Sequence, residues 1–214
     1  MSDRLATIEE KIQKSCQSSG RARSEVTLIA VSKTVAIASM MEAYSLGVRD
    51  FGESKLQEAI PKIEEMPSDV TWHFIGKLQS NKARKAAELF QVIHTLESEK
   101  QIVEIEKAEK VTDCLVEVNI AEEEQKAGIY PGKLDGLLFR LSCCKYVRFR
   151  GLMTIGPLTL DSEQSRKVFR SLKELGDKHG AEWLSMGMSA DYDVAIQEGA
   201  THVRVGSALF GERA

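Results

Sequence analysis

The sequence predicts a (β/α)8 TIM barrel, formed by residues 1–214 as a single domain, with one extra helix before the first strand. Two observations lead to this fold class. Short runs rich in apolar and β-branched residues alternate with longer helical patterns, and eight such runs can be counted. Several runs, such as VTLIAV and DCLVEV, are almost continuously apolar, as in parallel strands covered on both faces. Eight strands separated by helices favour a closed barrel over an open doubly wound α/β sheet, which remains the alternative.

The predicted strands follow one another at a spacing that suits a small barrel. Once the first 25 residues are set aside, about 24 residues are available for each strand–helix unit. The strands are predicted at residues 26–31, 48–51, 70–76, 91–96, 114–119, 149–155, 182–186 and 202–205. Because a helical pattern follows each strand, consecutive strands are expected to pair in parallel.

Helix starts are marked by a serine or aspartate that is followed three residues later by glutamine. This is the pattern of a capping box, in which each of the two side chains bonds the other residue's backbone N–H group. It occurs at Ser54, Ser98 and Asp161. An amphipathic segment, 4–18, precedes the first strand, and eight residues follow Gly206. We therefore expect the 4–18 helix to cover the gap in the outer ring that a missing closing helix leaves.

Composition and charge argue against several classes of protein. The 29 basic and 32 acidic residues give a net charge of -3, which argues against a general nucleic-acid-binding surface. No apolar run approaches the roughly 20 residues that cross a bilayer. The first 15 residues lack the central apolar stretch of a signal peptide. We therefore predict a cytoplasmic protein that binds neither nucleic acid nor membrane.

The cysteines and histidines lack the spacing of metal sites. The four cysteines include no CxxC pair, and the histidines, His73, His94, His179 and His202, show no HxH or HExxH spacing. We expect reduced thiols and no bound metal. His73 is interpreted as an inward-facing barrel residue with one hydrogen bond, the alternative being a position beside a ligand.

Functional residues of such a barrel lie in the loops that follow the strands. Lys33 comes directly after the apolar residues of the first predicted strand. In the mouth of the barrel, desolvation would lower the pKa of its amine and free it for attack on a carbonyl carbon. The simpler alternative for a single lysine is a strand-end side chain that reaches out to water.

The loops after the last two strands carry glycine and serine. Ser189 follows the seventh strand and is expected to cap the next helix, and Gly187 lets the backbone bend close to a ligand. Gly206 and Ser207 follow the eighth strand. In barrels, these two loops often hold a phosphate through backbone N–H groups. We predict a phosphate site here, with two ordinary loops as the alternative.

An amine at the first strand and a phosphate site at the last two select a phosphorylated carbonyl compound. Pyridoxal 5'-phosphate fits, and so does the sugar phosphate of a lysine-dependent aldolase. Arg204, on the eighth strand, bears on the choice. A guanidinium that faces the pyridine nitrogen donates a hydrogen bond and leaves that nitrogen unprotonated. The ring is then a weak electron sink, which suits a stored cofactor better than carbanion chemistry.

Six segments carry a resemblance to a known family. They are AVSKT, FGESKLQE, WHFIGKLQSNK, GLMTIGP, LSMGMSADYDVAI and VRVGSALFGER. In these segments and in their order, the sequence resembles the pyridoxal phosphate homeostasis protein family, single-domain relatives of the barrel of bacterial alanine racemase. The resemblance implies a monomeric or weakly associating barrel that binds pyridoxal 5'-phosphate through Lys33. It also implies that Ser189, Gly206 and Ser207 hold the phosphate and that Arg204 faces the ring nitrogen.

Two positions depart from the family pattern. Ser54 stands where the family usually has asparagine, and the dipeptide Val35-Ala36 stands where it often has Lys-Pro. Because serine has a shorter reach than asparagine, we assign Ser54 to helix capping and keep a cofactor contact as the alternative.

Functions from different classes remain. The first is a carrier that holds pyridoxal 5'-phosphate as a Lys33 aldimine and serves vitamin B6 homeostasis, with PLP-dependent apo-enzymes as recipients. The second is an amino-acid racemase, which needs a base on each face of the α-carbon; a lysine-dependent aldolase is third. In the racemases that the family resembles, a tyrosine from an additional domain supplies the second base, and we expect no such domain in the eight residues after Gly206. We therefore predict a protein without catalytic turnover.

Overall fold

Eight parallel strands close into a barrel in the computed structural model, which describes residues 1–157 and 161–211. The strands are β1 Thr27–Val31, β2 Asp50–Glu53, β3 Thr71–Phe74, β4 Val92–Leu96, β5 Thr112–Glu117, β6 Val147–Met153, β7 Trp183–Met188 and β8 His202–Val205. They pair in sequence order, and β8 closes the barrel against β1. The predicted barrel is confirmed, and the predicted strand ends differ from those observed by no more than two residues.

Nine helices are present in the described part of the chain. They are α1 Ser2–Ser18, α2 Ile37–Ser45, α3 Leu56–Glu65, α4 Ser80–Leu89, α5 Glu99–Glu106, α6 Leu134–Ser142, α7 Glu163–Lys178, α8 Tyr192–Gln197 and α9 Ser207–Phe210. Short 3-10 helices lie at Arg23–Glu25 and Pro131–Lys133. The last residues of the VRVGSALFGER segment, 212–213, lie outside the described residues.

The N-terminal helix fills the position for which it was predicted. α1 packs against α8 and α9, and its buried face includes Ile8, Ile12 and Cys16. Because α9 has only four residues, it is too short to cover the strands next to it. The expectation that the 4–18 segment completes the outer ring is confirmed.

The apolar core divides into two parts because strand residues alternate between the two sides of the barrel wall. Leu28 and Ala30 of β1 belong to the large cluster between strands and helices. A small second cluster, Val92, Leu115 and Met153, fills part of the interior. The interior also holds buried polar side chains, among them His73, His94 and Arg204, where branched aliphatic side chains are the usual filling.

One of the three predicted capping boxes forms. Oγ of Ser98 accepts the N–H of Gln101, and the side chain of Gln101 returns a bond to the backbone N–H of Ser98. At Asp161 the prediction was wrong, because α7 begins at Glu163 with Ser162 as N-cap. Asp161 still helps the helix to start, since its carboxylate accepts the N–H of Glu163 at 3.0 Å. Ser54 is considered with the site.

The remaining exclusions concern membranes and disulfides. Among the described helices, none is both long enough and apolar enough to cross a membrane. All four cysteines are free thiols, with Cys16 and Cys114 buried and Cys143 exposed.

Candidate functional site

A cavity of about 260 Å³ opens at the carboxyl ends of β1, β7 and β8. Its lining includes five of the six predicted site residues: Lys33, Ser189, Arg204, Gly206 and Ser207. Its volume lies near the lower end of roughly 300–1,000 Å³ for small-molecule sites. The fold therefore brings an amine, a guanidinium and two hydroxyls around one small space, although the last three groups lie at least 156 positions after the amine in sequence.

Lys33 sits in a tight turn directly after β1. The backbone N–H of Val35 donates to the carbonyl of Ser32 at 2.9 Å, which places Lys33 and Thr34 at the centre of the turn. Thr34 has a φ of 63°, a left-handed conformation that is rare for a β-branched residue. Backbone strain of this kind collects at functional sites, where the surroundings enforce it.

A buried ion pair lies beneath that turn. Nζ of Lys62, from α3, donates to Oε1 of Glu53 and to the carbonyl of Ser32, both at 2.7 Å. Oγ of Ser32 donates to the same Glu53 oxygen at 2.7 Å. The residue before Lys33 is thus held by both partners of the pair. Neither partner was identified from the sequence, since each is an ordinary charged residue in its own segment.

Arg204 is buried in the floor of the cavity, with 5% of its surface exposed. Its Nη1 donates to Oγ of Ser185 at 2.7 Å, and its Nη2 donates to the carbonyl of Thr154 at 3.0 Å. Burial lowers the pKa of Arg204 to about 10, while the nearby carboxylates of Glu117 and Asp191 oppose that shift. The guanidinium therefore stays protonated at neutral pH.

Glu117, at the end of β5, has the most perturbed carboxyl group near Arg204. Burial raises the pKa of Glu117 to about 7, and the negative charge of Glu97 adds to the effect. Attraction to Arg204 and Lys77 opposes it. The charge at this side of the site consequently changes near neutral pH.

Ser189 joins the loops that follow β7 and β8. Its Oγ accepts the N–H groups of Gly206 at 3.2 Å and of Ala208 at 3.4 Å. The predicted role of Ser189 as a helix cap was wrong, because α8 begins at Tyr192 with Asp191 as N-cap. The carboxylate of Asp191 accepts the N–H of Met188 at 2.7 Å. This bond extends the loop after β7 past Ser189, to the N-cap of α8 at Asp191.

Gly187 allows a close approach of the backbone, but the neighbour is a helix and not the ligand that was predicted. Its φ is 88°. A Cβ on this residue would lie 2.5 Å from Cβ of Ala195 and 2.9 Å from Cα of Tyr192. What approaches Gly187 is α8 rather than a ligand, so this glycine holds the Ser189 loop against the helix.

Ser54 lies apart from the other predicted residues. It lines a neighbouring cavity of about 230 Å³ together with Lys55, Phe74 and Lys77. Its predicted capping role was wrong, because α3 begins at Leu56 with Lys55 as N-cap and without a side-chain cap. The Ser54 carbonyl is pressed against Gly76, where a Cβ would overlap it. This close approach fixes the loop and moves the helix start past Ser54.

The structure brings together three of the histidines that are scattered in the sequence. Nδ1 of His73 lies 2.9 Å from Nε2 of His94, and the ring of His202 lies 6.2 Å from that of His94. His73 faces inward as predicted, but with two hydrogen-bond partners, the second being Asp50 at 3.0 Å. Among the described residues no group of three metal-ligating side chains has the arrangement of a metal site. No signal in the sequence brings these rings together, because the strand register pairs His73 with Val92 rather than with His94.

Comparison with known proteins places the chain in a family. A family model described as the N-terminal domain of alanine racemase matches residues 4–214. The pyridoxal phosphate homeostasis protein of Aquifex aeolicus is 40% identical, with 99% of this chain and 97% of the relative covered. The corresponding protein of Synechocystis is 42% identical, with 88% and 92% covered. The chain belongs to the pyridoxal phosphate homeostasis protein family.

Solved structures of this family share the fold over the whole length. PipY of Synechococcus elongatus PCC7942 without PLP has 38% identity and a TM-score of 0.86, covering 99% of this chain and 100% of its own. PipY with PLP bound has 36% identity and a TM-score of 0.83, covering 98% and 99%. Alanine racemase of Bacillus anthracis, at 18% identity, is similar in fold, with a TM-score of 0.69 over 98% of this chain and 56% of the racemase.

Proposed function

We propose that this protein binds pyridoxal 5'-phosphate as an aldimine of Lys33 and serves intracellular vitamin B6 homeostasis without catalytic turnover. One observation carries the proposal. Lys33 and Arg204 line the same small cavity as the Ser189 and Gly206 loops, in a family whose member PipY has been solved with PLP bound. The donor set suits the three polar parts of this cofactor: an aldehyde, a ring nitrogen and a phosphate.

Lys33 would hold the aldehyde covalently. Its neutral amine attacks the aldehyde carbon, a C=N bond forms, and the carbonyl oxygen leaves as water with the two amine protons. No oxidant or reductant is needed, and water reverses the step, so a bound cofactor can be released. The turn held by the Glu53–Lys62 pair limits where the Lys33 backbone lies, which favours one orientation of the amine.

Arg204 would donate a hydrogen bond to the ring nitrogen. Because a guanidinium has no acceptor and remains protonated in proteins, the nitrogen it contacts stays unprotonated. Bound in this way the ring is a weak electron sink. Arg204 therefore favours storage of the cofactor over carbanion chemistry.

The phosphate would lie between the two glycine- and serine-containing loops. The hydroxyls of Ser189 and Ser207 would donate to it. The N–H groups of Gly206 and Ala208 bond Oγ of Ser189 and so hold that hydroxyl in place. Ser54 remains a predicted contact of the cofactor. It lines the neighbouring cavity, so any such contact is less direct than those of Ser189 and Ser207.

The surroundings of Lys33 support the absence of turnover. A racemase needs a second base opposite the lysine. All four tyrosines lie in the described part of the chain, and none of them lines the cavity. Tyr192, the nearest in sequence to the site, is buried in α8, where burial raises its pKa to about 12.

We also propose that residues 1–214 form one domain, that the protein is a monomer or associates weakly, and that it delivers its cofactor to PLP-dependent apo-enzymes. We propose a cytoplasmic location as well, which the free thiols suit.

Borohydride trapping tests the proposal. The protein loaded with pyridoxal 5'-phosphate is reduced, digested and mapped by mass spectrometry. We expect a phosphopyridoxyl group on Lys33, loss of the visible absorption band in Lys33→Ala, and an unchanged band in the control Lys55→Ala. An adduct on another lysine in the unaltered protein would overturn the assignment.

Incubation with L- and D-amino acids tests the absence of turnover. Optical rotation and keto-acid formation are followed against free pyridoxal 5'-phosphate. We expect rates close to those of the free cofactor. Turnover above roughly 1 s⁻¹, within the usual range of enzymes, would restore the racemase hypothesis.

A further inference from the structure

A continuous chain of hydrogen bonds crosses the barrel interior from Arg204 to Asp50. Nη1 of Arg204 lies 2.7 Å from Oγ of Ser185, which lies 2.8 Å from Nδ1 of His94. Nε2 of His94 lies 2.9 Å from Nδ1 of His73, whose Nε2 lies 3.0 Å from Oδ1 of Asp50. Arg204 faces the proposed cofactor cavity, whereas Asp50 is the first residue of β2, toward the amino ends of the strands.

The two ends of the chain give it a direction. A guanidinium only donates hydrogen bonds, and a carboxylate only accepts them. Oγ of Ser185 accepts from Arg204, and with neutral rings at His73 and His94 it donates its own proton to His94. His94 then accepts at Nδ1 and donates at Nε2, and His73 repeats this pattern toward Asp50. In this arrangement His94 carries its proton on Nε2, and His73 donates from Nε2 to Asp50.

The surroundings favour neutral rings. His94 is fully buried. Burial, assisted by the positive charges that would face it from His73, His202 and Arg204, lowers the pKa of His94 well below its ordinary value. The apolar cluster Val92, Leu115 and Met153 occupies another part of the barrel interior.

His202 lies beside this chain of hydrogen bonds but takes no part in it. Its ring is 6.2 Å from that of His94 and 6.3 Å from that of His73. Its Nδ1 instead pairs with Oγ1 of Thr201 at 2.8 Å. The barrel thus supplies a buried histidine of the same layer for comparison.

We propose that His94 and His73 are positioning residues for the cofactor site. By accepting the Ser185 proton, His94 turns the lone pair of that hydroxyl toward Arg204, and His73 and Asp50 keep His94 in the tautomer that accepts. Without the acceptor the hydroxyl rotates freely and spends part of its time with its proton toward the guanidinium, which repels it. Arg204 then loses one of its two bonds that fix the plane of the guanidinium. The inference rests on the proposed binding of pyridoxal 5'-phosphate.

Three variants separate positioning from bulk packing. His94→Leu removes the acceptor, His94→Asn keeps an acceptor oxygen close to the place of Nδ1, and His202→Leu changes a buried ring outside the chain. Affinity for pyridoxal 5'-phosphate is measured by titration of the visible band, and folding by circular dichroism. We expect His94→Leu to weaken binding roughly tenfold, the effect of one lost hydrogen bond to a charged group, and to shift the band. The other two should stay within about threefold of the unaltered protein without a shift. Equal losses in His94→Leu and His202→Leu, or in His94→Leu and His94→Asn, would overturn the proposal.

Nitrogen-15 NMR of the histidines in the cofactor-free protein gives an independent test. We expect His94 as the neutral Nε2–H tautomer between pH 6 and pH 8, and a proton on Nε2 of His73, where Asp50 accepts it. A protonated His94, or a proton on its Nδ1, contradicts the proposal even if His94→Leu does not fold. If the unaltered protein does not bind pyridoxal 5'-phosphate at all, the proposed function is wrong. The histidine tautomers still show in that case whether the hydrogen bonds from Arg204 to Asp50 form.

Discussion

Nζ of Lys62 lies 2.7 Å from Oε1 of Glu53, inside the protein and directly beneath the turn that carries Lys33. The Glu53 side chain is fully buried, and that of Lys62 is 9% exposed. Since both groups also bond to Ser32, the pair links α3 and β2 to the end of β1. We regard it as the support of the lysine rather than as part of the binding surface.

Breaking this pair should destabilise the fold. Lys62→Met leaves the Glu53 carboxylate buried without its cation, which typically costs about 3–5 kcal/mol. The measurement is urea unfolding at neutral pH. As a control, Lys55→Ala removes an exposed pair with Glu58 of the same 2.7 Å length, for which we expect little change in stability because solvent screens exposed ion pairs. The double variant Lys62→Met with Glu53→Leu should recover most of the lost free energy of unfolding. A loss below about 1 kcal/mol for Lys62→Met alone would contradict the prediction that an unpaired buried Glu53 carboxylate is costly.

Arg204→Gln should weaken the binding of pyridoxal 5'-phosphate and alter its spectrum. The change replaces a fixed cation by a neutral amide at a site where two hydrogen bonds hold the guanidinium. A lost hydrogen bond to a charged group is worth about 1.5–3 kcal/mol, or roughly ten- to a hundredfold in affinity. Spectrophotometric titration measures both effects. Unchanged affinity and spectrum would place Arg204 outside the site.

The fold could be predicted from the sequence because its signals are local. The strands can be recognised from short runs rich in apolar and β-branched residues. The alternation of such runs with helical patterns predicts the barrel. That Lys33, Ser189 and Arg204 line one cavity could be predicted in the same way, since strand ends of a barrel converge on one face. Helix starts were predicted less well. Beside Ser54 a tertiary contact with Gly76, and beside Ser189 a local bond between Asp191 and Met188, accompany a later helix start.

The supporting network could not be predicted, because it depends on contacts between distant segments. The bond between His94 and Ser185 joins residues 91 positions apart, across the barrel. The Lys62–Glu53 pair requires that a lysine in α3 turn inward beneath β1. No spacing in the sequence distinguishes such residues from solvated ones. The histidines were accordingly interpreted as scattered, although three of them share one layer.

Glu117 should make stability depend on pH. Burial raises its pKa to about 7, above that of the unfolded chain, so the folded state binds this proton more tightly. The contribution is therefore full at pH below the unfolded pKa of about 4.3 and is lost as pH rises toward 7. Relative to the unaltered protein, Glu117→Gln should gain roughly 2 kcal/mol in unfolding free energy between pH 5 and pH 8. Urea unfolding of both proteins at each pH measures this, and parallel curves would show that the carboxyl titrates normally.

The last prediction concerns the loop that holds Ser189. Gly187→Ala should destabilise the protein by at least about 2 kcal/mol, because it adds a left-handed alanine and a methyl group that overlaps α8. Gly180→Ala is the matched control: its φ is 66°, but nothing lies within 4 Å of the added Cβ. This control should cost about 1 kcal/mol from backbone strain alone. Thermal and urea unfolding measure the difference between the two variants.

The same substitution should also weaken binding, because Ser189 follows Gly187 by two residues and bonds the Gly206 loop. We expect Gly187→Ala to lower the affinity for pyridoxal 5'-phosphate and for inorganic phosphate as competitor, and Gly180→Ala to leave both unchanged. If Gly187→Ala and Gly180→Ala lower the free energy of unfolding equally, overlap with α8 is not the reason that glycine is needed at position 187. If Gly187→Ala loses stability but binds normally, the phosphate is held without the Ser189 loop.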